Sequence, residues 1–316
     1  MKILITGGAG FLGQRLAQSL LHHHDDVSLV LADRVTTDAF AGDRRVTSVA
    51  CDLAEAGDLA RVVTPGTDVI YHLAAVLSGQ SEREFDLGLK VNLDATRALL
   101  ESCRRLPAPP RFIFTSSIAV FGGDLPAVVT DQTAAVPQSS YGTGKAAAEL
   151  LVNDYSRRGF VDGLVLRLPT ISVRPGKPNS ATSSFVSGII REPLNGETAV
   201  CPVGADVAVW LSSPAAAVEN LRHAHLLPAA ALGRSRMINL PGLSVTVGEM
   251  IATLERVAGA AVAARIRFER DAFIEPIVTS WPGRFDTARA EALGFQRDPD
   301  FETVIRNYLR DDAPRP

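Results

Sequence analysis

The segment KILITGGAGFLGQRLAQSLL, residues 2–21, constrains the fold more than any other part of this 316-residue chain. Residues 2–6 form a short apolar run of the kind that becomes a buried parallel strand, and it passes through a glycine turn directly into helical periodicity. Gly7, Gly10 and Gly13 give the spacing GxxGxxG. The first permits a tight turn, the second lets backbone approach a bulky phosphate group, and the third lets helix pack closely on strand. The helix start, at Phe11, Leu12 and Gly13, offers unpaired N–H groups and the positive end of the helix dipole to such an anion.

A second strand, VSLVLAD, ends at Asp33. A carboxylate there accepts hydrogen bonds from an adenosine ribose and repels a 2′-phosphate, which favours NAD over NADP; Arg34 is the residue that would weaken this preference. A third strand, RRVTSVA, delivers Asp52 and Leu53, and a fourth, DVIY, delivers Leu73, Ala74 and Ala75 of HLAAV. Both segments lie at carboxyl ends of strands, where doubly wound sheets bind ligands. Asn92, in KVNLDATRALLE, starts a long amphipathic helix. Asp52 and Asn92 are read as cofactor contacts, with simple helix N-caps as the alternative for each.

Further along, SSYGTGKAAAEL at residues 139–150 places Tyr141 and Lys145 four apart, on one face of a helix. A phenol with an intrinsic pKa near ~10 acts as a base at neutral pH only if its anion is stabilised, and a neighbouring ammonium does that. The fifth strand, RFIFTSS, brings Ser116 and Ser117 to the edge of the same pocket. A serine hydroxyl there can hydrogen-bond the oxygen of a carbinol and hold it for attack. The pattern describes hydride removal from an alcohol carbon, with Tyr141 taking the hydroxyl proton.

TGGAGFLG, Asp33, HLAA, FTSSIAVFG and YGTGK occur in the order and at the separations of the extended short-chain dehydrogenase/reductases, the family that includes nucleotide-sugar epimerases and dehydratases, and the whole chain resembles that family. The resemblance implies an α/β fold: a Rossmann-type doubly wound parallel sheet with a smaller mixed α/β C-terminal lobe that binds substrate. It makes Ser117, rather than Ser116, the catalytic hydroxyl, assigns Lys145 to the nicotinamide ribose as well, and places cofactor contacts at Leu168 and Thr170 after the sixth strand, GLVLRLP. Loops after this strand form the substrate wall in related enzymes. ISVRPGKPNS carries Arg174 and Asn179 there, so an anionic substrate is expected, with Arg174 as a bidentate carboxylate clamp or, alternatively, an ordinary surface arginine. Ser78 and Gln80, in the loop LSGQSEREFD, are candidates for sugar hydroxyls or are solvent-facing. The later stretches LPGLSVTVGEMIATLERVAG and WPGRFDTARAEALGF resemble members acting on small sugar acids, which implies oxidation at C2 of D-erythronate to 2-dehydro-D-erythronate. Other readings are a nucleotide-sugar epimerase that retains its NAD, another uronate or sugar-acid dehydrogenase, and an NAD-sensing regulator; the intact Ser117, Tyr141 and Lys145 set speaks against the last. A homodimer is also implied, through the helices starting near Asn92 and Tyr141.

Composition excludes other classes. A net charge of −3 with 21% charged residues lacks the basic excess of a nucleic-acid binder, and no apolar run approaches the ~20 residues of a membrane span. Three dispersed cysteines, without CxxC, suit a reducing cytoplasm and give neither a disulfide framework nor a metal site. His22, His23 and His24 read as a polar turn rather than a metal cluster, and His223 and His225 as structural. Residues 1–168 are assigned to the NAD-binding unit and 169–316 to the substrate lobe, with a segment near 237–240 returning to the main sheet. Trp210, Trp281 and Arg284 receive no role from sequence.

Overall fold

A computed structural model describes residues 1–313 of the chain. Strands β1 (Lys2–Thr6), β2 (Ser28–Asp33), β3 (Val46–Ala50), β4 (Val69–His72), β5 (Arg111–Ser117) and β6 (Asp162–Leu168) build one sheet. Beyond them in sequence come β7 (Thr170–Ile171), β8 (Ala199–Cys201), β9 (Ala208–Ser212), β10 (Met237–Asn239), β11 (Leu243–Thr246) and β12 (Ile266–Phe268). The main sheet has seven strands in the order β10-β6-β5-β4-β1-β2-β3, and all its pairs are parallel. The strand order reverses between β1 and β4, which opens a crevice at their carboxyl ends.

Helices cover both faces because successive strand residues point to opposite sides. Ile3 and Ile5 of β1 pack with helix α1 (Phe11–His23), whereas Leu4 packs on the opposite face. Leu99 of the helix Ala95–Arg104 and Ala148 of the helix Ser140–Arg157 belong to that second layer. A separate C-terminal core gathers Phe185, Ile189 and Ile190 with Val209, Met250 and Ile305, beside a three-stranded sheet ordered β11-β9-β7 and a two-stranded one of β12 and β8. The doubly wound sheet and the smaller mixed lobe are the architecture that the motifs imply.

Two local expectations change. LSGQSEREFD is not a loop: it folds into helices α2 (Ser78–Arg83) and α3 (Phe85–Leu89). Its one glycine, Gly79, reads as a loop residue but serves close packing, since a methyl there would collide with the Ser180 carbonyl; just beyond the segment, a methyl at Gly88 would lie 2.9 Å from Ser81 Cβ. Asn92 therefore does not start a helix. It sits within a π-helical turn, Lys90–Asp94, that continues α3 into α4 (Ala95–Arg104). The catalytic segment is α5 (Ser140–Arg157), and the first long helix of the C-terminal lobe is α6 (Ser184–Leu194).

Candidate active site

The crevice between β1 and β4 forms a groove of about 370 Å³. Gly7 turns there with φ +71°, and a methyl on it would stand 2.8 Å from the Ala74 nitrogen. A methyl on Gly13 would collide with the Gly7 carbonyl oxygen, so the glycines set the distance between turn, helix and the 73–77 segment. Gly7, Gly10, Asp33, Arg34, Asp52, Leu53, Leu73, Ala74 and Ala75 all line it. The Asp33 carboxylate is oriented by backbone N–H groups of Ala9 at 3.2 Å and Arg34 at 2.7 Å, which leave further lone pairs for a ribose. These features fit a dinucleotide: a cradle that any Cβ would fill, and an anchored carboxylate beyond it.

Asp52 is not a helix cap; its Oδ1 accepts from the Ala54 N–H at 2.9 Å at the groove wall. Asn92 does not line the groove. It is buried, accepts from the Val76 N–H at 2.9 Å and donates to the Val76 carbonyl at 3.0 Å, holding the HLAAV segment from behind. Phe11 faces neither the groove nor the neighbouring cavity and carries Arg15 on its ring. Gln80 lies in the cofactor groove and pairs with Glu84 at 3.1 Å.

Leu73, Ala75 and Leu77 are shared with a second cavity of about 210 Å³, so the two spaces adjoin. Ser116, Ser117, Tyr141, Lys145, Leu168 and Thr170 meet in this cavity, together with Leu12. Helix α5 begins with Ser139, whose Oγ accepts from the Gly142 N–H at 3.1 Å. Gly142 sits where a methyl would strike the Ala119 carbonyl, which lets the helix start press against the turn after β5 and brings Tyr141 beside Ser117. Ser117 Oγ accepts from the Ala119 N–H at 3.2 Å, leaving its own O–H to donate. Ser116 Oγ is buried without a partner.

Lys145 is 1% exposed, donates to the Thr115 carbonyl at 2.9 Å and lies 4.6 Å from the Phe114 ring centroid. Burial pulls its ammonium down to about 7, against the pull of the Glu149 carboxylate one turn further along α5. Glu149 is itself held by Arg167 through bonds of 2.9 and 2.7 Å. Tyr141 is half-buried, and loss of solvation pushes its phenol up to about 12, with the Ser117 hydroxyl pulling the other way. Both groups are therefore close to neutral at mildly alkaline pH; a cationic ligand beside them favours the Tyr141 phenolate, and the phenolate in turn favours the charged form of Lys145.

Arg174 lines the same cavity. Its Nε is buried with no hydrogen-bond partner, and no described carboxylate pairs with it. Burial first, then the nearby Arg191 charge, lower its affinity for the proton. The residue as a whole is half-buried, and a partly desolvated guanidinium without an anion is an anion-binding feature. Ser78 also reaches the cavity, though its Oγ is taken by Thr182 Oγ1 at 3.1 Å. Asn179 does not: it is exposed in an adjoining cavity, and its Oδ1 accepts from the Ala181 N–H at 3.0 Å as part of a local turn. Sequence reasoning missed Ser183 and left Trp281 unplaced; both line the catalytic cavity. Ser183 had no signal to separate it from Ser180 and Ser184. Trp281 comes from a distant segment, and Ser280 bonding to Ile277 and Gly283 packed on Ala208 hold that segment in place.

Residues 3–212 match the model of the NAD dependent epimerase/dehydratase family. The chain belongs to that family. It is 56% identical over 98% of both chains to a protein of Cupriavidus necator named D-erythronate dehydrogenase. A Haemophilus influenzae protein of the same name is 52% identical over 99% of this chain and 100% of its own length. Among solved structures, one described as the nucleoside-diphosphate-sugar epimerase from Agrobacterium tumefaciens superposes with a TM-score of 0.92 at 43% identity, covering 98% of this chain and 94% of its own. The family's cofactor, NAD, fits the glycine cradle and Asp33 described above.

All four tyrosines, Tyr71, Tyr141, Tyr155 and Tyr308, are held above the ordinary phenol range, burial being the largest cause for each. In an ultraviolet titration of the cofactor-free protein, tyrosinate should therefore stay near zero up to about pH 10. With saturating NAD, one step should move toward neutral pH and vanish in Tyr141→Phe. A step unchanged by NAD would mean that Tyr141 is not coupled to the cofactor's charge.

Proposed function

We propose that the protein is an NAD-dependent sugar-acid dehydrogenase that oxidises the C2 hydroxyl of D-erythronate to 2-dehydro-D-erythronate. The observation that carries the substrate class is Arg174, a half-buried arginine with a buried, unpartnered Nε and no carboxylate partner among the described residues, on the wall of the cavity that holds Ser117, Tyr141 and Lys145. The two full-length relatives named D-erythronate dehydrogenase support the choice of acid. Residues 1–168 hold the cofactor and 169–316 close over the substrate, with 237–240 returning to the main sheet.

In this reading NAD, when bound, supplies the positively charged ring that accepts hydride from C2. Gly7, Gly10, Phe11, Leu12 and Gly13 receive its pyrophosphate, Asp33 a ribose, and Lys145 the ribose nearer the reacting ring. Tyr141, as phenolate, takes the C2 hydroxyl proton while the hydride leaves the same carbon, so the alcohol becomes a ketone and one proton passes to the enzyme. The Lys145 ammonium stabilises that phenolate. The free O–H of Ser117 donates to the substrate oxygen and fixes its orientation. Arg174 clamps the neighbouring C1 carboxylate, which leaves C2 as the carbon presented to the base.

A second reading, a nucleotide-sugar epimerase with retained NAD, draws on the description of the Agrobacterium tumefaciens structure. Purified enzyme with NAD, tested against D-erythronate, L-threonate, D-threonate, galacturonate and UDP-galactose, separates the two. We expect NADH formation from D-erythronate well above the other acids. Interconversion of UDP-galactose and UDP-glucose without net NADH would replace the dehydrogenase reading.

We further infer a cytoplasmic homodimer. Cys51, Cys103 and Cys201 are free and buried, which suits a reducing compartment. Phe85 and Leu89 on α3 and Leu150 on α5 stand 59%, 38% and 66% exposed, and the two helices pack against each other, so they offer one apolar face for a second copy. Light scattering should give twice the chain mass, and Leu150→Glu should shift it toward the monomer. A wild-type monomer at micromolar concentration would overturn the inference.

A further inference from the structure

Arg174 is held unusually firmly for a residue in a loop containing Pro175, Gly176 and Pro178. Its backbone N–H donates to Ser187 Oγ at 3.1 Å, and its carbonyl accepts from Arg191 Nη1 at 2.7 Å. Ser187 and Arg191 are four residues apart on α6 and so share one face of that helix. Two residues upstream, Ser172 Oγ donates to the Val186 carbonyl at 3.0 Å, which adds a third stitch between the same strand end and the same helix. The helix is anchored in turn by Phe185, Ile189 and Ile190 in the C-terminal core.

Among the described residues, the Arg191 side chain hydrogen-bonds only this carbonyl and its neighbour Glu192, and it borders a separate cavity with Tyr308 and Asp312. Its side chain is only 4% exposed, its Nη2 meets Glu192 Oε1 at 2.6 Å, and it does not line the catalytic cavity. A second buried cation beside Arg174 repels it, and that repulsion is relieved when an anion arrives in the cavity. We propose that Ser187 and Arg191 are positioning residues for carboxylate recognition, holding both backbone polar groups of Arg174 so that its guanidinium is already set in the cavity before substrate binds. This rests on the sugar-acid reading above. Fixing a long side chain from its backbone lowers the ordering cost at the moment of binding, so the effect falls on substrate affinity.

The test compares Arg191→Met, Arg191→Lys and Ser187→Ala with wild type, measuring kcat, KM for D-erythronate, KM for NAD, thermal midpoint, and binding of tartronate, a small unreactive hydroxy diacid, to the enzyme–NADH complex. We expect Arg191→Met to raise both KM for D-erythronate and Kd for tartronate by about tenfold, with kcat within about twofold and KM for NAD unchanged. Arg191→Lys keeps a donor for the Arg174 carbonyl and should recover part of that loss, and Ser187→Ala should give a smaller loss of the same kind. Where Arg191→Met fails to fold, the lysine and alanine variants decide on the same readouts. Acid affinity unchanged in folded variants, or kcat and both KM values moving together, would overturn the proposal by reducing Arg191 to a packing residue. Tartronate binding without turnover of D-erythronate by wild type would sink the choice of substrate alone and leave the positioning claim to be judged from tartronate. Absence of tartronate binding by wild type would sink both.

Discussion

The hydrogen bond from Lys145 to the Thr115 carbonyl ties helix α5 to the carboxyl end of β5. Desolvating an ammonium costs several kcal/mol, and the structure offsets that with the carbonyl, the face of Phe114 and the Glu149 carboxylate. The same helix face then carries three groups one turn apart: Tyr141 toward the cavity, Lys145 at its floor and Glu149 in the interior. Glu149 is locked to Arg167 on β6, whose guanidinium also covers Phe121 at 4.7 Å. Tyr141, the proposed base, is therefore placed by a buried polar column running from α5 into the sheet, and each member would be costly to leave unpaired.

Across the cavity the electrostatic situation is reversed. Lys145 has a carbonyl and a nearby carboxylate, whereas the Arg174 guanidinium has neither and has Arg191 close by. A protein gains nothing in stability from such an arrangement, so its value lies in what it binds. The cavity of about 210 Å³, with Trp281 on its wall, has room for a short acid beside the cofactor groove. In the proposed reading, chemistry comes from the sheet side of the cavity and selectivity from the C-terminal side.

Much of this was legible in the chain because the relevant signals are local. The glycine turn, the strand ending at Asp33 and the Tyr141–Lys145 spacing each depend on residues within a turn or two of one another. What was missed depends on long-range packing. Gly79 reads as a loop residue because the backbone it makes room for, at Ser180, is not visible in the local pattern. Asn92 looked like a helix start because nothing in its neighbourhood reveals that Val76 needs both of its backbone groups satisfied. Asn179 and Arg174 looked equivalent in one loop, yet only Arg174 is turned inward, and the residues that turn it are on α6. Trp281 could not be placed at all, since nearly a hundred residues separate it in sequence from Ser183, the nearest other part of the site.

The claim that a carboxylate is recognised by a preset, unpartnered Arg174 is open to one decisive comparison: kcat/KM for D-erythronate and for its neutral amide, D-erythronamide, in wild type and in Arg174→Gln. If the guanidinium pairs with the substrate carboxylate, wild type strongly prefers the acid, and the substitution lowers kcat/KM for the acid by about a hundredfold while leaving the amide nearly unchanged. If acid and amide fall by the same factor, Arg174 supports the cavity without reading the substrate's charge, and the anion-recognition argument fails.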